Sequence, residues 1–267
     1  MKKKILALTL ALALMVALTA CTGRQKNPAA ADSDLAYVKG QGKLVVGITE
    51  FEPMDYTDQD GNWVGFDADL AKAFAKSIGV EAEFQIIDWN QKISELEGKT
   101  IDVVWNGMTL TDDVKAAMEC SNPYFNNAQV VIVKADKAAD FQTADSVKGL
   151  QFAVEDGSAG MEQVEALGAS YTPVLDQATA LLEVSSGTAD AAVIDYLMAA
   201  ATVGEGTSYA DLTYTCELNS EEYGVGFRKG SDLAAELNSF FKTAYADGTM
   251  QKIADTYGIG DKLIEQK

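Results

Sequence analysis

The chain has 267 residues, of which 48% are hydrophobic, so its length suits one large domain or two modest lobes. Asp and Glu number 40 against 21 Lys and Arg, for a formal net charge of −19 at pH 7. Because nucleic-acid binding needs clustered cations, this balance excludes nucleic acid as a partner. The chain has no histidine, which excludes Ser-His-Asp and Cys-His catalysis and metal sites that use histidine.

Arginine is almost as scarce as histidine. The only two are Arg24, in a polar N-terminal stretch, and Arg228. A carboxylate on any ligand must therefore be held by lysine, by backbone N–H groups or by Arg228.

Residues 1–20 are typical of a secretory signal peptide. Three lysines follow Met1, a nearly unbroken apolar run covers residues 5–17, and small residues come next. The alternative is a membrane-spanning helix, but the apolar run is shorter than the roughly 20 residues that a span prefers.

The segment Leu18-Thr19-Ala20-Cys21 resembles a bacterial lipoprotein box, in which the cysteine becomes the first mature residue and carries lipid. Two acyl chains are sufficient for stable anchoring to a membrane. Polar and small residues follow, so we expect residues 21–41 to hold the lipidated Cys21 and a flexible tether.

From residue 42 onward, strand and helix patterns alternate. Strands are predicted at residues 43–48, 82–87, 101–105, 129–133, 150–154, 190–194 and 223–227. Helices are predicted at residues 67–78, 93–97, 157–166 and 176–184, from 197, and after a cap at Ser231. This alternation predicts an α/β fold with mainly parallel sheets, and two successive sets suggest two lobes with a ligand between them.

Several short motifs occur in a characteristic order. They are Val46-Gly47-Ile48, Gly65-Phe66-Asp67-Ala68-Asp69-Leu70, Gly107-Met108-Thr109-Leu110-Thr111, Ser121-Asn122-Pro123-Tyr124, Asp190-Ala191-Ala192-Val193-Ile194-Asp195 and Tyr223-Gly224-Val225-Gly226-Phe227. In order and spacing the chain resembles, over residues 44–258, the polar amino acid binding proteins of ATP-driven importers, family 3 of the bacterial extracellular solute-binding proteins.

The resemblance implies a periplasmic-binding-protein-like α/β fold, with two lobes joined by two hinge strands and a ligand cleft between them. Lobe 1 would take residues 42–124 and 224–267, and lobe 2 residues 128–220. The implied function is that of the extracytoplasmic substrate-binding component of an amino acid ABC importer. It would be a lipid-anchored monomer that delivers a small polar or cationic amino acid to the permease subunits, with no cofactor, metal or enzymatic activity.

The resemblance also implies ligand contacts in lobe 1. Phe51 and Trp89 match aromatic residues that stack on the ligand, with ordinary packing as the alternative. Asn106, Gly107 and Thr109 match a loop that offers a carbonyl and a hydroxyl to the ligand's amino and carboxyl groups, and glycine there permits close backbone approach.

In lobe 2, Asp195 matches the acid that pairs with the ligand's α-ammonium. The alternative is an N-cap for the helix that follows. Ser158 starts a helix, where its hydroxyl and the free N–H groups suit a ligand carboxylate, and a plain N-cap is again the alternative.

Two positions depart from the family pattern. Val114 stands where the family has an arginine that grips the α-carboxylate, and the adjacent Lys115 would point about 100° away on a helix. Glu155 stands where some relatives carry a basic or amide residue. With Asp195 and Glu50, it would make a cleft that is rich in acid.

Unpaired buried acids are costly, so the acid-rich cleft predicts a ligand with a positive group. Its carboxylate, if it has one, would rest on the N–H groups of Ser158 and Ala159. An amine without a carboxylate is the alternative ligand. An enzyme of dehydratase or transglycosylase type on the same fold is the other alternative. Cys120 and Cys216 are expected in different lobes, and whether they form a disulfide is open.

Overall fold

The computed structural model describes residues 33–267, in which two β-sheets carry helices on their faces. The first part of the chain supplies α1 (Asp34–Gln41), β1 (Lys43–Ile48), β2 (Tyr56–Thr57), β3 (Trp63–Val64), α2 (Phe66–Ser77), β4 (Glu81–Ile86), a 3₁₀ turn (Trp89–Gln91), α3 (Lys92–Glu97), β5 (Val103–Thr109), α4 (Asp112–Ala117), β6 (Glu119–Cys120) and β7 (Phe125–Asn127).

The middle of the chain forms a second set of elements. These are β8 (Gln129–Lys134), a 3₁₀ segment (Ala135–Asp140), α5 (Ala144–Val147), β9 (Gln151–Glu155), α6 (Ala159–Leu167), β10 (Ser170–Val174), α7 (Gln177–Ser186), β11 (Ala191–Asp195), α8 (Tyr196–Thr202) and β12 (Leu212–Glu217). The chain ends with β13 (Glu221–Phe227), α9 (Leu233–Ala246), α10 (Thr249–Thr256) and a 3₁₀ turn (Gly260–Lys262).

The strands divide into two main sheets. The first has the order β4-β1-β5-β13-β6, with β7 also paired to β13, and the second has the order β10-β9-β11-β8-β12. We call the parts of the molecule built on these sheets lobe 1 and lobe 2. The chain passes from lobe 1 to lobe 2 between β7 and β8 and returns between β12 and β13. The residue bounds predicted above for the lobes stay a prediction.

The sheets are mixed, so the expectation of mainly parallel sheets was wrong. Strands β1, β4 and β5 are parallel, as are β9, β10 and β11. However, β13 pairs antiparallel with β5, β6 and β7, and β8 pairs antiparallel with β11 and β12. The antiparallel pairs come from β8 and β13, the strands that follow the two crossings between the lobes. Each runs in the direction opposite to the parallel strands of the sheet that it joins.

The amphipathic helices form where their periodicity predicts them. Helix α2 buries Leu70 and Phe74 completely, and it begins and ends one residue earlier than expected. Helix α9 buries Leu233, Leu237 and Phe241. The Ser231 hydroxyl accepts a hydrogen bond from the N–H of Leu233 at 3.3 Å, two residues before the helix starts.

The N-terminal segments are only partly visible in the described residues. The predicted signal peptide and the lipidation site at Cys21 lie outside them. Residues 34–41, expected as part of the tether, instead form helix α1, in which Val38 is fully buried. Within residues 33–267, no helix has the length and apolar character needed to cross a membrane. Cys120 and Cys216 are both free thiols.

Arg228 explains why the segment around Asp34 is ordered. Its guanidinium pairs with Asp34 at 3.0 Å and with Asp102 at 3.1 Å, and all three side chains are nearly buried. The same group donates to the backbone carbonyls of Leu96 and Ile101. Arg228 therefore ties helix α1 to the end of α3 and to the segment that precedes β5.

We expect Arg228→Met to lower the free energy of unfolding by about 3–5 kcal/mol, because it leaves two buried carboxylates without a cation to pair with. Urea unfolding measures this loss. The matched control is Lys43→Met, which breaks the exposed ion pair between Lys43 and Glu83 and should cost less than about 1 kcal/mol. Equal losses in the two variants would contradict the assigned role of Arg228.

Candidate ligand-binding site

A cavity of about 280 Å³ lies between the two lobes. All eight residues predicted from the sequence to contact the ligand line it: Phe51, Trp89, Asn106, Gly107, Thr109, Glu155, Ser158 and Asp195. The volume suits a ligand the size of an amino acid. The structure thus brings these residues together, and their contact with a ligand stays a prediction.

The side chain of Asn106 is fully engaged within lobe 1. Its oxygen accepts from the N–H and hydroxyl of Thr49 at 3.0 and 2.7 Å, and its amide donates to the Thr49 carbonyl and to Asp55. What Asn106 can offer a ligand is therefore its backbone. The adjacent Gly107 has a φ of +54°, and a Cβ added there would lie 2.6 Å from the Phe51 ring. Glycine lets the strand pass this close to the ring.

The carboxylate of Asp195 is buried and held by three donors. Asn127, Gln177 and Tyr223 donate to it, the first and last at 2.6 Å. Asp195 occupies the N-cap position of α8, but its side chain accepts no capping hydrogen bond, so the alternative role as a side-chain cap was wrong. Burial, and then the charge of Glu221, raise the pKa of Asp195 to about 7.

Glu155 ends strand β9 and has only 3% of its surface exposed. Its Oε1 has no hydrogen-bond partner among the described residues. Burial, followed by the charge of Asp195, raises the pKa of Glu155 well above its ordinary value. An unpartnered buried oxygen is uncommon in folded proteins and indicates a group that a ligand can satisfy.

Two residues at the cavity cap helices. Ser158 accepts a hydrogen bond from the N–H of Met161 at 3.1 Å, so its side chain is an N-cap of α6. Thr111 caps α4 in the same way, through the N–H of Val114. Val114 itself is buried and lines the cavity, so an apolar surface occupies the position where the resemblance implied an arginine.

Lys92 also lines the cavity, and the sequence analysis missed it. Its ammonium donates to the carbonyl of Trp89 at 3.2 Å and to that of Gly157, across the cleft, at 2.9 Å. It lies 4.8 Å from the center of the Trp89 ring. Burial lowers its pKa. The sequence did hold a signal for this residue. Lys92 comes three residues after Trp89, the predicted ligand-stacking residue, and so lies on the same side of a helical turn.

Arg228 and Glu50 are not among the residues that line the cavity. Arg228 is engaged by the carboxylates at the far edge of lobe 1. Glu50 instead accepts a hydrogen bond from the hydroxyl of Thr57. The cavity lining is nevertheless acidic. It contains one cation, Lys92, and five carboxylates, which belong to Asp113, Glu155, Glu162, Glu165 and Asp195.

A hydrogen-bond hub joins the two hinge segments beside the cavity. Oε1 of Glu221 accepts from Thr109, Asn127 and Gln129 at 2.7–2.8 Å, and Oε2 accepts from Asn219 at 2.8 Å. The Asn127 amide also donates to Asp195. The hub therefore connects lobe 1, both crossings and the buried acid of lobe 2. Among the described residues, no cluster of three or more acids or cysteines is arranged to hold a metal ion.

The model of one protein family matches residues 44–260, which is most of the chain. That family is the bacterial extracellular solute-binding proteins, family 3. The chain belongs to this family.

Individual proteins that are similar to this chain agree with its membership of family 3. The arginine-binding extracellular protein ArtP of Bacillus subtilis is 32% identical over 97% of this chain and 100% of its own length. A mutant of ArgBP from T. maritima has a TM-score of 0.79 and 33% identity over 84% of this chain and 98% of its own. A further structure of ArgBP is arginine-bound.

A third similar protein bears on enzymatic activity. It is an ancestral amino acid-binding protein described as a precursor of cyclohexadienyl dehydratase, with a TM-score of 0.77 and 31% identity over 84% of this chain and 99% of its own. All three proteins are named for binding an amino acid or are described with one bound. The two-lobe fold predicted from the sequence is confirmed.

The raised pKa of Asp195 predicts how stability depends on pH. Between the ordinary value of 3.8 and about 7, the folded protein holds a proton that the unfolded chain has released. The stability contributed by Asp195 is therefore complete below pH 3.8 and is lost as the pH rises toward 7. Relative to Asp195→Asn, we expect the unfolding free energy of the wild type to fall by up to about 1.4 kcal/mol per pH unit in this window.

Urea unfolding at several pH values measures this difference. Asp211→Asn is the control with the opposite sign, because a hydrogen bond from Lys134 lowers the pKa of Asp211. Its contribution is present above pH 3.8 and is lost as the pH falls through its lowered pKa. A flat pH profile for the Asp195→Asn difference would contradict the prediction.

Proposed function

We propose that the protein is the extracytoplasmic substrate-binding component of an amino acid ABC importer. In this proposal it binds a small polar or cationic amino acid between its lobes and delivers it to the permease subunits. It acts as a monomer, is anchored to the membrane through lipidated Cys21, and catalyses no reaction. Family membership and the interlobe cavity of suitable volume support this function.

The excess of carboxylates over cations in the cavity lining is the reason for proposing a cationic ligand. Five carboxylates and one ammonium line it. Asp113, Glu162 and Glu165 are exposed, whereas Glu155 and Asp195 are buried, so a bound cation offsets the two charges that burial makes unfavourable. Asp195 is the proposed partner of the α-ammonium, since its carboxylate lies at the end of β11 facing the cavity. The similar protein ArtP is named for arginine, whose side chain is cationic, and ArgBP is described with arginine bound.

The aromatic residues suit an extended ligand side chain. Phe51 has 3% of its surface exposed and packs edge-on against Tyr223, so its ring is held in one orientation. Trp89 is the first residue of the 3₁₀ turn that follows β4. Its carbonyl accepts a hydrogen bond from Lys92. Two fixed rings bind an alkyl stem or a guanidinium plane with little loss of side-chain entropy.

A second candidate ligand is an amine that lacks a carboxylate. Val114 favours it, because this apolar side chain lines the cavity at the position where the resemblance implies an arginine for the α-carboxylate. The two candidates differ by one functional group, and a direct comparison of matched ligands separates them.

The test is a thermal-shift screen of the purified protein with common amino acids, their decarboxylated amines and polyamines. A ligand that binds only the folded state raises the melting temperature, by about 5–10 °C at 100 times its Kd. We expect shifts with arginine, lysine, ornithine or histidine. A strong shift with glutamate would contradict a cationic ligand, and no shift with any compound would contradict the proposed function.

Asp195→Asn should remove most of the ligand-induced shift, because the variant loses the charge opposite the ammonium. The control is Asp136→Asn, an exposed position outside the cavity lining, which should keep the wild-type shift. Binding by Asp195→Asn at wild-type affinity would show that the ammonium lies elsewhere.

A further inference from the structure

Resting on the proposed function, we propose that Lys92 binds the ligand's carboxylate, in place of the arginine that Val114 replaces. The ligand class that follows is an amino acid with a free α-carboxylate rather than a simple amine. Lys92 is thereby a specificity-determining residue of the cavity.

The other candidate cations in the described residues are directed elsewhere. Arg228 pairs with Asp34 and Asp102, outside the cavity. Lys115, which is adjacent to Val114, does not line the cavity, but lines an adjoining groove that shares Thr109 and Thr111 with it. Of the described residues that line the interlobe cavity, Lys92 alone carries a positive charge.

The hydrogen bonds of Lys92 place its ammonium at the meeting point of the lobes. An ammonium has three donors, and the carbonyls of Trp89 and Gly157 accept two of them. Only 7% of the residue is exposed, so bulk water has little access to it. The third donor is available to a group inside the cavity. A carboxylate is the strongest acceptor that such a buried ammonium can meet.

The start of helix α6 completes the site. Gly157, which Lys92 contacts, is two residues before Ala159, where this nine-residue helix begins. The N–H groups of the first helical turn have no partner within a helix, and Ser158 caps that of Met161. A carboxylate placed there receives N–H donors from α6 and the ammonium of Lys92 together.

Glu155 supplies an independent indication that a ligand binds beside Lys92. Its buried Oε1 lines the same cavity and has no partner in the described part of the chain. The charges of Lys92 and Glu155 act on each other across the lobe boundary. An unpartnered acceptor close to an ammonium with a spare donor is complementary to a zwitterion, which carries both a donor cation and an acceptor anion.

The test compares the amino acid with its own decarboxylated amine. Binding of L-arginine and agmatine, L-lysine and cadaverine, and L-histidine and histamine is measured by calorimetry on the wild type and on Lys92→Met. Lys92→Met removes the charge and keeps the length of the side chain. We expect its affinity for the amino acid to fall on the order of 10- to 100-fold. Its affinity for the matching amine should fall far less, because the amine has no carboxylate to lose, whereas both ligands share the loss of the bonds from Lys92 to Trp89 and Gly157.

Two variants serve as controls. Lys115→Met removes the same charge from the position next to Val114 and should leave both ligands unaffected. Lys92→Arg keeps a cation and should restore at least part of the preference for the amino acid. Since Lys92 also bridges the lobes through Gly157, a purely structural role would weaken both members of each pair equally.

Each remaining outcome is decisive. Equal losses for acid and amine, or no loss for either, would overturn the assignment of Lys92. A wild type that binds amines but not amino acids would overturn it too, while leaving the binding function in place. A wild type that binds no compound of the panel would overturn the proposed function itself.

Discussion

Burial of carboxylates at the boundary of the two lobes governs the chemistry of this protein. Asp195 and Glu155 end neighbouring strands, β11 and β9, and both are removed from water. Moving a carboxylate out of water is unfavourable unless donors replace the hydration shell. For Asp195 the protein provides three donors. For Glu155 one oxygen is left without any described partner, which supports the proposal that a ligand binds there.

The same acids connect the cavity to the hinge. Asn127 donates to Asp195 and to Glu221, and Glu221 also holds Thr109 and Gln129. A ligand that changes the charge around Asp195 therefore acts on a hydrogen-bond network that spans both crossings. Closure of such lobes follows differential affinity for the closed arrangement. In the proposed function, ligand binding at Asp195 would reach both crossings through this network.

In the proposed site, Lys92 takes the role of the arginine that the resemblance to the family implies at position 114. Val114 makes that wall of the cavity apolar, and Lys115 lines the adjoining groove instead of the cavity. A lysine from the start of α3 reaches the opposite lobe instead, at Gly157. Lysine is a compact charge on a flexible stem, whereas arginine is a planar fork. In the proposed site, the ammonium of Lys92 and the helix N–H groups together replace the bidentate contact that an arginine would make.

The sequence by itself determined the family, the two-lobe α/β fold and the set of residues around the cavity, because short motifs keep their order along the chain and local periodicity dictates each element. Helices such as α2 and α9 were predictable since their buried faces repeat every turn. Only the tertiary structure decided the antiparallel strands, the ordered helix α1 and the role of Arg228, because each depends on partners that are far apart in the chain. It also decided that the Asn106 side chain forms its hydrogen bonds within lobe 1 and that Lys92 lines the cavity. Hydrogen bonds and desolvation depend on which groups meet in space, and local sequence patterns do not encode that meeting.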